Sequence, residues 1–274
     1  MLDKNAFVSL ICTSLSERLG DLATRFSSSI SRVGTRFVEI DNLLPRGAAE
    51  RISHSFPEPE QMRLMNSFRE RKYTSKSFDK FSPILADITF AFQDPAVIQL
   101  ISEITGISNQ VADRHLYAGG LSAMGKGHFL SPHIDNSHDS SRRYYRTLNL
   151  LYYVTPHWSE ENGGSLQLWD GRVRKAVTIP SNFNRLVLME TTPRSWHSVN
   201  RVQYHGLRKC VSNYYFSPKS PTGDDYFNVT AFSAPPDRPF LRILSGCDAK
   251  IRQLARTLRP SGFGARDLYQ GPPR

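Results

Sequence analysis

A chain of 274 residues with 39% apolar residues and 16 Phe is long enough for one large domain or two small ones. Its 35 basic and 25 acidic side chains leave a formal charge of +10, which bears on attraction to anions rather than on fold and is equally served by a solvated basic face. Three scattered cysteines, Cys12, Cys210 and Cys247, exclude a disulfide framework and a paired-cysteine zinc site, and fit a reducing cytoplasm. The apolar run over 6–12 falls far short of the roughly 20 residues of a membrane span. It also lacks a basic leader and a small-residue cleavage site, so neither a span nor a signal peptide is expected.

Over residues 1–30, Phe7, Leu10, Ile11, Leu15, Leu19 and Leu22 recur mostly at three and four, which predicts an amphipathic helix. Residues 36–40 alternate like a strand, and a short helix follows from Pro45. Residues 56–82 are polar and punctuated by proline and read as a surface loop. Two helices are predicted over 83–92 and 95–104, the second ending at Gly106. From about residue 113 to 217 the chain changes character. Short β-branched and aromatic runs lie between Gly, Pro, Asn and Ser clusters, which predicts roughly eight strands in a sandwich or jelly roll. Helices in front and strands behind imply an α+β chain. Pro218-Lys219-Ser220-Pro221 marks a break. Residues 226–232 read as one more strand, and 237–258 as a basic helix whose stripe of Leu241, Leu244, Ile251 and Leu254 packs on the core. The organisation expected is a support region at 1–112, a core at 113–217 and a basic extension at 218–274.

Within the core, His133-Ile134-Asp135, a lone His197 and Arg208 stand out. Residues i and i+2 of a strand share a face, so His133 and Asp135 face one way and Ile134 the other. Two imidazoles and a carboxylate form a facial set that suits ferrous iron with positions left open. Taken alone, the spacing also fits a surface histidine and an aspartate that opens the polar turn Asn136-Ser137-His138-Asp139. On the last predicted strand Arg208, Cys210, Ser212 and Tyr214 share one face, and Lys209, Val211, Asn213 and Tyr215 the other. On the strand over 148–154, Leu148, Leu150, Tyr152 and Val154 are expected to face the helices. Asn149, Leu151 and Tyr153 are expected to face the site.

Five elements in order carry a resemblance to a known family. They are Gly127-His128-Phe129-Leu130-Ser131-Pro132-His133-Ile134-Asp135, then Leu148-Asn149-Leu150-Leu151-Tyr152-Tyr153-Val154 with Trp158. Gly163-Gly164-Ser165-Leu166-Gln167-Leu168 follows, then Arg185-Leu186-Val187-Leu188 leading to Trp196-His197-Ser198-Val199, and lastly the run from Arg208 to Phe216. Together they resemble the iron(II)/2-oxoglutarate oxygenases of the prolyl 4-hydroxylase-like branch. The resemblance implies a double-stranded β-helix with iron held by His133, Asp135 and His197 near one mouth. It places the distal carboxylate of 2-oxoglutarate on Arg208, with Tyr153 and Ser212 also on the cosubstrate and Lys209 as the rival cation. L-Ascorbate is a further expected cofactor. Dioxygen and 2-oxoglutarate are converted to succinate and carbon dioxide as an unactivated carbon is hydroxylated. Asp135, where related halogenases carry a small residue, argues for hydroxylation.

The substrate expected is a prolyl or related residue of a peptide, or else a small metabolite or biosynthetic intermediate, since fold does not choose it. His138 is the candidate on the substrate side. Tyr144-Tyr145-Arg146 and Trp169-Asp170 are candidates for the entrance. A binding module on a decayed oxygenase fold is the reading from another class, and the intact ligands with Arg208 count against it. No motif for reading bases accompanies the charge, so a nucleic-acid substrate is not expected; the oligomeric state is left open.

Overall fold

In the computed structural model, residues 2–117 and 119–234 are described, with isolated positions between 240 and 271. Helices α1 (Lys4–Ser16), α2 (Leu19–Ser28) and α3 (Ile30–Val33) precede strand β1 (Phe37–Ile40) and helix α4 (Arg46–His54). Strands β2 (Arg63–Asn66) and β3 (Glu70–Ser75) form a hairpin, followed by helices α5 (Pro83–Ala91) and α6 (Pro95–Thr105). Then come β4 (Val111–Ala112), β5 (Gly120–Met124), β6 (Phe129–Ile134), β7 (Tyr145–Tyr153), β8 (Leu166–Trp169), β9 (Ala176–Ile179), β10 (Arg185–Glu190), β11 (His197–Val199), β12 (Arg208–Ser217) and β13 (Ala231–Phe232).

Local chemistry accounts for several boundaries. Helix α6 starts where Asp94 accepts a hydrogen bond from Ala96 N at 3.0 Å and Pro95 fills the first turn. It stops at Gly106, whose φ of 66° is left-handed. The single helix predicted over 1–30 is instead two. Arg18 breaks the run by turning its guanidinium onto Ser14 O and Asp41 O, at 3.0 and 2.8 Å, which ties the bend to the chain after β1.

The strands form one curled antiparallel sheet in the order β1-β10-β7-β12-β5-β3-β6-β11-β8-β9, with β13 added to β6, β2 to β3 and β4 to β12. The result is the predicted α+β jelly roll. Strict alternation on β7 serves two cores. Leu148, Leu150 and Tyr152 join the helix residues Phe7, Ile11, Leu15, Leu22 and Ile101 outside the roll, and Val154 just past the strand joins them. Tyr153 joins Leu166, Leu168, Val187, Met189 and Cys210 between its walls.

Three expectations need correction or bounding. The loop read at 56–82 contains the hairpin β2–β3, with β3 paired to both β5 and β6. Its side chains are exposed or half-buried, so pairing rather than an alternating pattern holds it. The strand read at 226–232 is confined to Ala231–Phe232. The helix read at 237–258 lies largely outside the described residues. Its described positions have helical backbone, but Leu244 and Ile251 are 44% and 69% exposed and so do not pack as expected. Among the described residues, no single helix is long and apolar enough to cross a membrane.

Leu15 is fully buried between helices and sheet, whereas Leu64 is 42% exposed on the hairpin. Leu15→Ala is expected to lower the unfolding free energy by about 2–5 kcal/mol, and Leu64→Ala by no more than about 0.5 kcal/mol. Chemical denaturation of the two variants checks the assignment of the helical layer to the core.

Candidate active site

The register brings the two histidines together. His197 on β11 lies opposite His133 on β6, with ring centroids 4.1 Å apart. A register shift follows, because three steps on β6 from Leu130 to His133 match two on β11 from Val199 to His197. The β6 stretch taking up the extra residue contains Pro132, which has no N–H to lose from a ladder. Each ring is oriented alike: His133 Nδ1 lies 3.0 Å from Ser131 O, and His197 Nδ1 3.0 Å from Ser195 O. A carbonyl only accepts, so both rings carry the proton on Nδ1 and leave the Nε2 lone pair free. Asp135 follows directly after β6. Its Oδ1 is 3.5 Å from His133 Nε2 and its Oδ2 3.5 Å from His197 Nε2. One ligand atom from each residue lies within 4.8 Å of the other two, a spacing that can hold a metal ion.

Electrostatics favour the form a divalent cation needs. Burial on its own would raise the Asp135 carboxyl, but Arg146 and the two imidazoles hold it well below the usual range. Burial, and then the neighbouring His133, lower His197 to about 4. The site therefore presents an ionised carboxylate and a neutral His197 without a metal to enforce either.

A second cluster lies deeper in the roll. Arg208 is 4% exposed, packs over the Tyr153 ring at 4.5 Å and donates from Nε to Ser181 Oγ at 3.2 Å. No ion pair to its guanidinium occurs among the described residues. The buried Tyr153 hydroxyl has no aligned hydrogen-bond partner, although Arg208 and Ser181 are close. Burial pushes this phenol up to about 12, while Arg208 pulls it down. A buried cation and a buried unpartnered hydroxyl side by side fit a ligand carboxylate. The paired glycines make room: a Cβ on Gly164 would sit 3.4 Å from Arg208 Cγ, and one on Gly163 would meet Arg201 O at 2.2 Å. Ser212 is buried on the same face of β12, in contact with Cys210 Sγ at 3.6 Å. The rival Lys209 points the opposite way, donating to Ser53 O at 2.8 Å.

Sequence reasoning placed Asn149 and Tyr153 on the site face by parity, but it left Arg146 at an entrance. Arg146 is 1% exposed and pairs with Asp135 Oδ2 at 3.1 Å. Trp169, the other entrance candidate, is also buried, with its indole N–H on Ser198 Oγ at 2.8 Å. Ser181, Asn228 and Phe232 escaped notice because they lie in irregular segments or on a two-residue strand. Phe232 stacks on His133 at 5.3 Å, and Asn228 Nδ2 donates to Asp135 O at 2.8 Å. His138 is buried, with Nδ1 2.7 Å from Ser137 Oγ. With Asn136, Arg142 and Asn228 it lines a cavity of about 160 Å³ next to Asp135 in sequence.

The class that this fold and this site define is the iron(II)- and 2-oxoglutarate-dependent dioxygenase. Residues 119–217 match the model of the 2OG-Fe(II) oxygenase superfamily. Among solved structures, the chain is similar to a Trichoplax adhaerens prolyl hydroxylase in complex with a hypoxia inducible factor peptide fragment. That match has 20% identity and a TM-score of 0.51, covering 73% of this chain and 91% of the other. It is also similar to a Pseudomonas putida prolyl-4-hydroxylase, at 14% identity and a TM-score of 0.50, covering 72% and 98%. At these identities the likeness is one of fold. No curated protein matches the chain at a significant level.

Because the His197 value lies below the ordinary imidazole value of about 6.5, this ring favours the folded state above that pH. Its contribution is lost as pH falls toward about 4. In the metal-free protein, the His197 ring resonance is expected to stay flat from about pH 8 to about 5.5, well past where an ordinary imidazole titrates. An NMR midpoint near the ordinary value would contradict the burial described.

Proposed function

We propose that this chain is a hydroxylase that holds iron(II) on His133, Asp135 and His197. It uses 2-oxoglutarate and dioxygen to hydroxylate an unactivated carbon of a prolyl or related residue. The single observation that carries the reading is the convergence of the three ligand atoms within 4.8 Å, next to a buried Arg208 that has no ion pair among the described residues. We read residues 113–217 as the catalytic core, 1–112 as its support and 218–274 as an extension, and we place the protein in the cytoplasm, which the unpaired Cys12 and Cys210 support.

Iron(II) held on His133, Asp135 and His197 would activate dioxygen, the oxidant; 2-oxoglutarate would serve as co-reductant and leave as succinate and carbon dioxide, with one oxygen atom in succinate and the other in the hydroxylated carbon. The chain's residues supply geometry. Ser131 O and Ser195 O fix the imidazole rings, so both Nε2 atoms point at one place. Arg208 takes the distal carboxylate of 2-oxoglutarate and Tyr153 donates its hydroxyl to it. The phenol stays protonated because burial raises it. Ser212 lines the same face. Phe232 covers one side of His133 and keeps water from it. The substrate enters on the side of His138, whose cavity is lined by Asn136, the residue after Asp135, and by Asn228, which holds the Asp135 carbonyl. A peptide substrate is supported by the Trichoplax protein, whose structure holds a peptide fragment.

The test is anaerobic loading with iron(II), addition of 2-oxoglutarate, L-ascorbate and a prolyl peptide, then air, with succinate measured. Asp135→Ala is expected to lose stoichiometric iron and all turnover; retention of both would remove the ligand assignment. Arg208→Ala removes a charge-assisted contact worth on the order of 2–5 kcal/mol when its partner is buried. It is expected to raise the half-saturating 2-oxoglutarate concentration by well over tenfold with iron binding kept. A large effect from Lys209→Ala and none from Arg208→Ala would transfer that role.

A further inference from the structure

Two donors converge on one oxygen of Asp135. Arg146 Nη1 lies 3.1 Å from Oδ2, and Asn149 Nδ2 donates to the same atom at 2.7 Å. Both donors are themselves held. Arg146 Nη2 donates to Asn136 Oδ1 at 2.9 Å, and the guanidinium lies over the Tyr214 ring at 4.3 Å. Asn149 Oδ1 accepts from Thr191 Oγ1 at 3.1 Å. Neither donor is hydrogen-bonded to Oδ1; Oδ1 lies 3.5 Å from His133 Nε2 and Oδ2 lies 3.5 Å from His197 Nε2, so it is the two donors, not distance to the imidazoles, that distinguish the oxygens.

A strand irregularity places Arg146 there. Along β7, Asn149 and Arg146 differ in parity, so a regular strand would send them to opposite faces. Against β12, however, Tyr215 pairs with Leu148 while the next residue, Phe216, pairs with Arg146. Thr147 is the extra residue of a β-bulge, and such a bulge re-aims the side chain beside it. Thr147 Oγ1 anchors the bulge on Tyr215 O at 3.2 Å. The full burial of a guanidinium at this point is the energetic signature of a dedicated partner, since an unpaired buried cation would be strongly destabilising.

We propose that Arg146 and Asn149 are positioning residues that reserve Oδ2 of Asp135 and present the carboxylate to the metal through Oδ1 alone. An aspartate carboxylate has two oxygens and can bind a cation through either or both. With the lone pairs of Oδ2 engaged by two donors, only Oδ1 remains. A carboxylate bound through both oxygens would take one more coordination position, at the expense of cosubstrate or dioxygen. The inference rests on the proposed ligand set His133, Asp135 and His197.

Cobalt(II), a spectroscopically visible stand-in for iron(II), tests it in the full chain. Equilibrium affinity and the visible d–d spectrum are measured for wild type, Asp135→Ala, Arg146→Met, Arg146→Lys and Asn149→Leu. Arg146→Met and Asn149→Leu are each expected to weaken cobalt binding by about 10–100-fold, as loss of a partner to a ligand does. Both should also alter the d–d bands as Asp135 turns to offer two oxygens. Arg146→Lys, which keeps the charge without the fork, is expected to fall between Arg146→Met and wild type. Should Arg146→Met fail to fold, the neutral Asn149→Leu change decides the matter. Wild-type affinity and spectrum in the folded variants would overturn the positioning role. If wild type binds no cobalt, or Asp135→Ala binds it equally well, the ligand set itself falls instead.

Discussion

The largely enclosed charge of Asp135, its side chain 13% exposed, is the constraint around which the site is organised. Removing a carboxylate from water is costly unless hydrogen bonds and opposite charge replace the solvent. Here the replacement comes from three directions: Arg146 and Asn149 on β7, the imidazoles of β6 and β11, and the amide of Asn228 on the backbone carbonyl of Asp135 itself. Each comes from a different part of the chain, so the carboxylate ties the walls of the roll to one another. The same compensation keeps the carboxyl ionised in the metal-free protein, ready for a divalent cation.

Division of labour along β7 and β12 follows from the two-residue period of a strand. One face of β7 gives Leu148, Leu150 and Tyr152 to the helical layer, and the other gives Asn149 and Tyr153 to the interior of the roll. On β12, Val211 and Tyr215 face the helices while Arg208 and Tyr214 face inward, where Tyr214 lies beneath Arg146. Lys209 keeps the parity of the helical face and reaches Ser53 O. A one-residue slip would exchange Arg208 for Lys209 and bury the wrong cation. The apolar packing of the helices therefore also determines which cation stands beside Tyr153.

The segment that closes the described chain is part of the same construction. Ala231 and Phe232 add a short strand to β6, Phe232 stacks on His133, and Ser137 N donates to Asn228 O at 3.0 Å. Arg69, from the turn between β2 and β3, lies over Phe232 at 5.3 Å and pairs with Asp248 at 2.7 Å. The hairpin that the sequence concealed and the segment after the proline break thus meet over β6. Their contacts with the site are aromatic stacking, backbone pairing and the Asn228 amide on a backbone carbonyl. Such contacts require no recurring residue spacing, which explains why neither segment was legible.

What was legible in the sequence was periodic or paired. The i, i+2 relation of His133 and Asp135, the alternation on β7 and β12, the glycine pair and the proline-led helices α5 and α6 express local geometry, and local geometry repeats along a chain. The jelly roll and the residues facing its interior follow from those patterns. The meeting of His197 with His133, the bulge at Thr147 that turns Arg146 inward, and the placing of Ser181 beside Arg208 are long-range events. They are settled by which strands pair and by where a register slips, and one misplaced residue reverses the face of every side chain beyond it. Tertiary structure alone decided those contacts, because a buried charge selects its partners by position in space, not by distance along the chain.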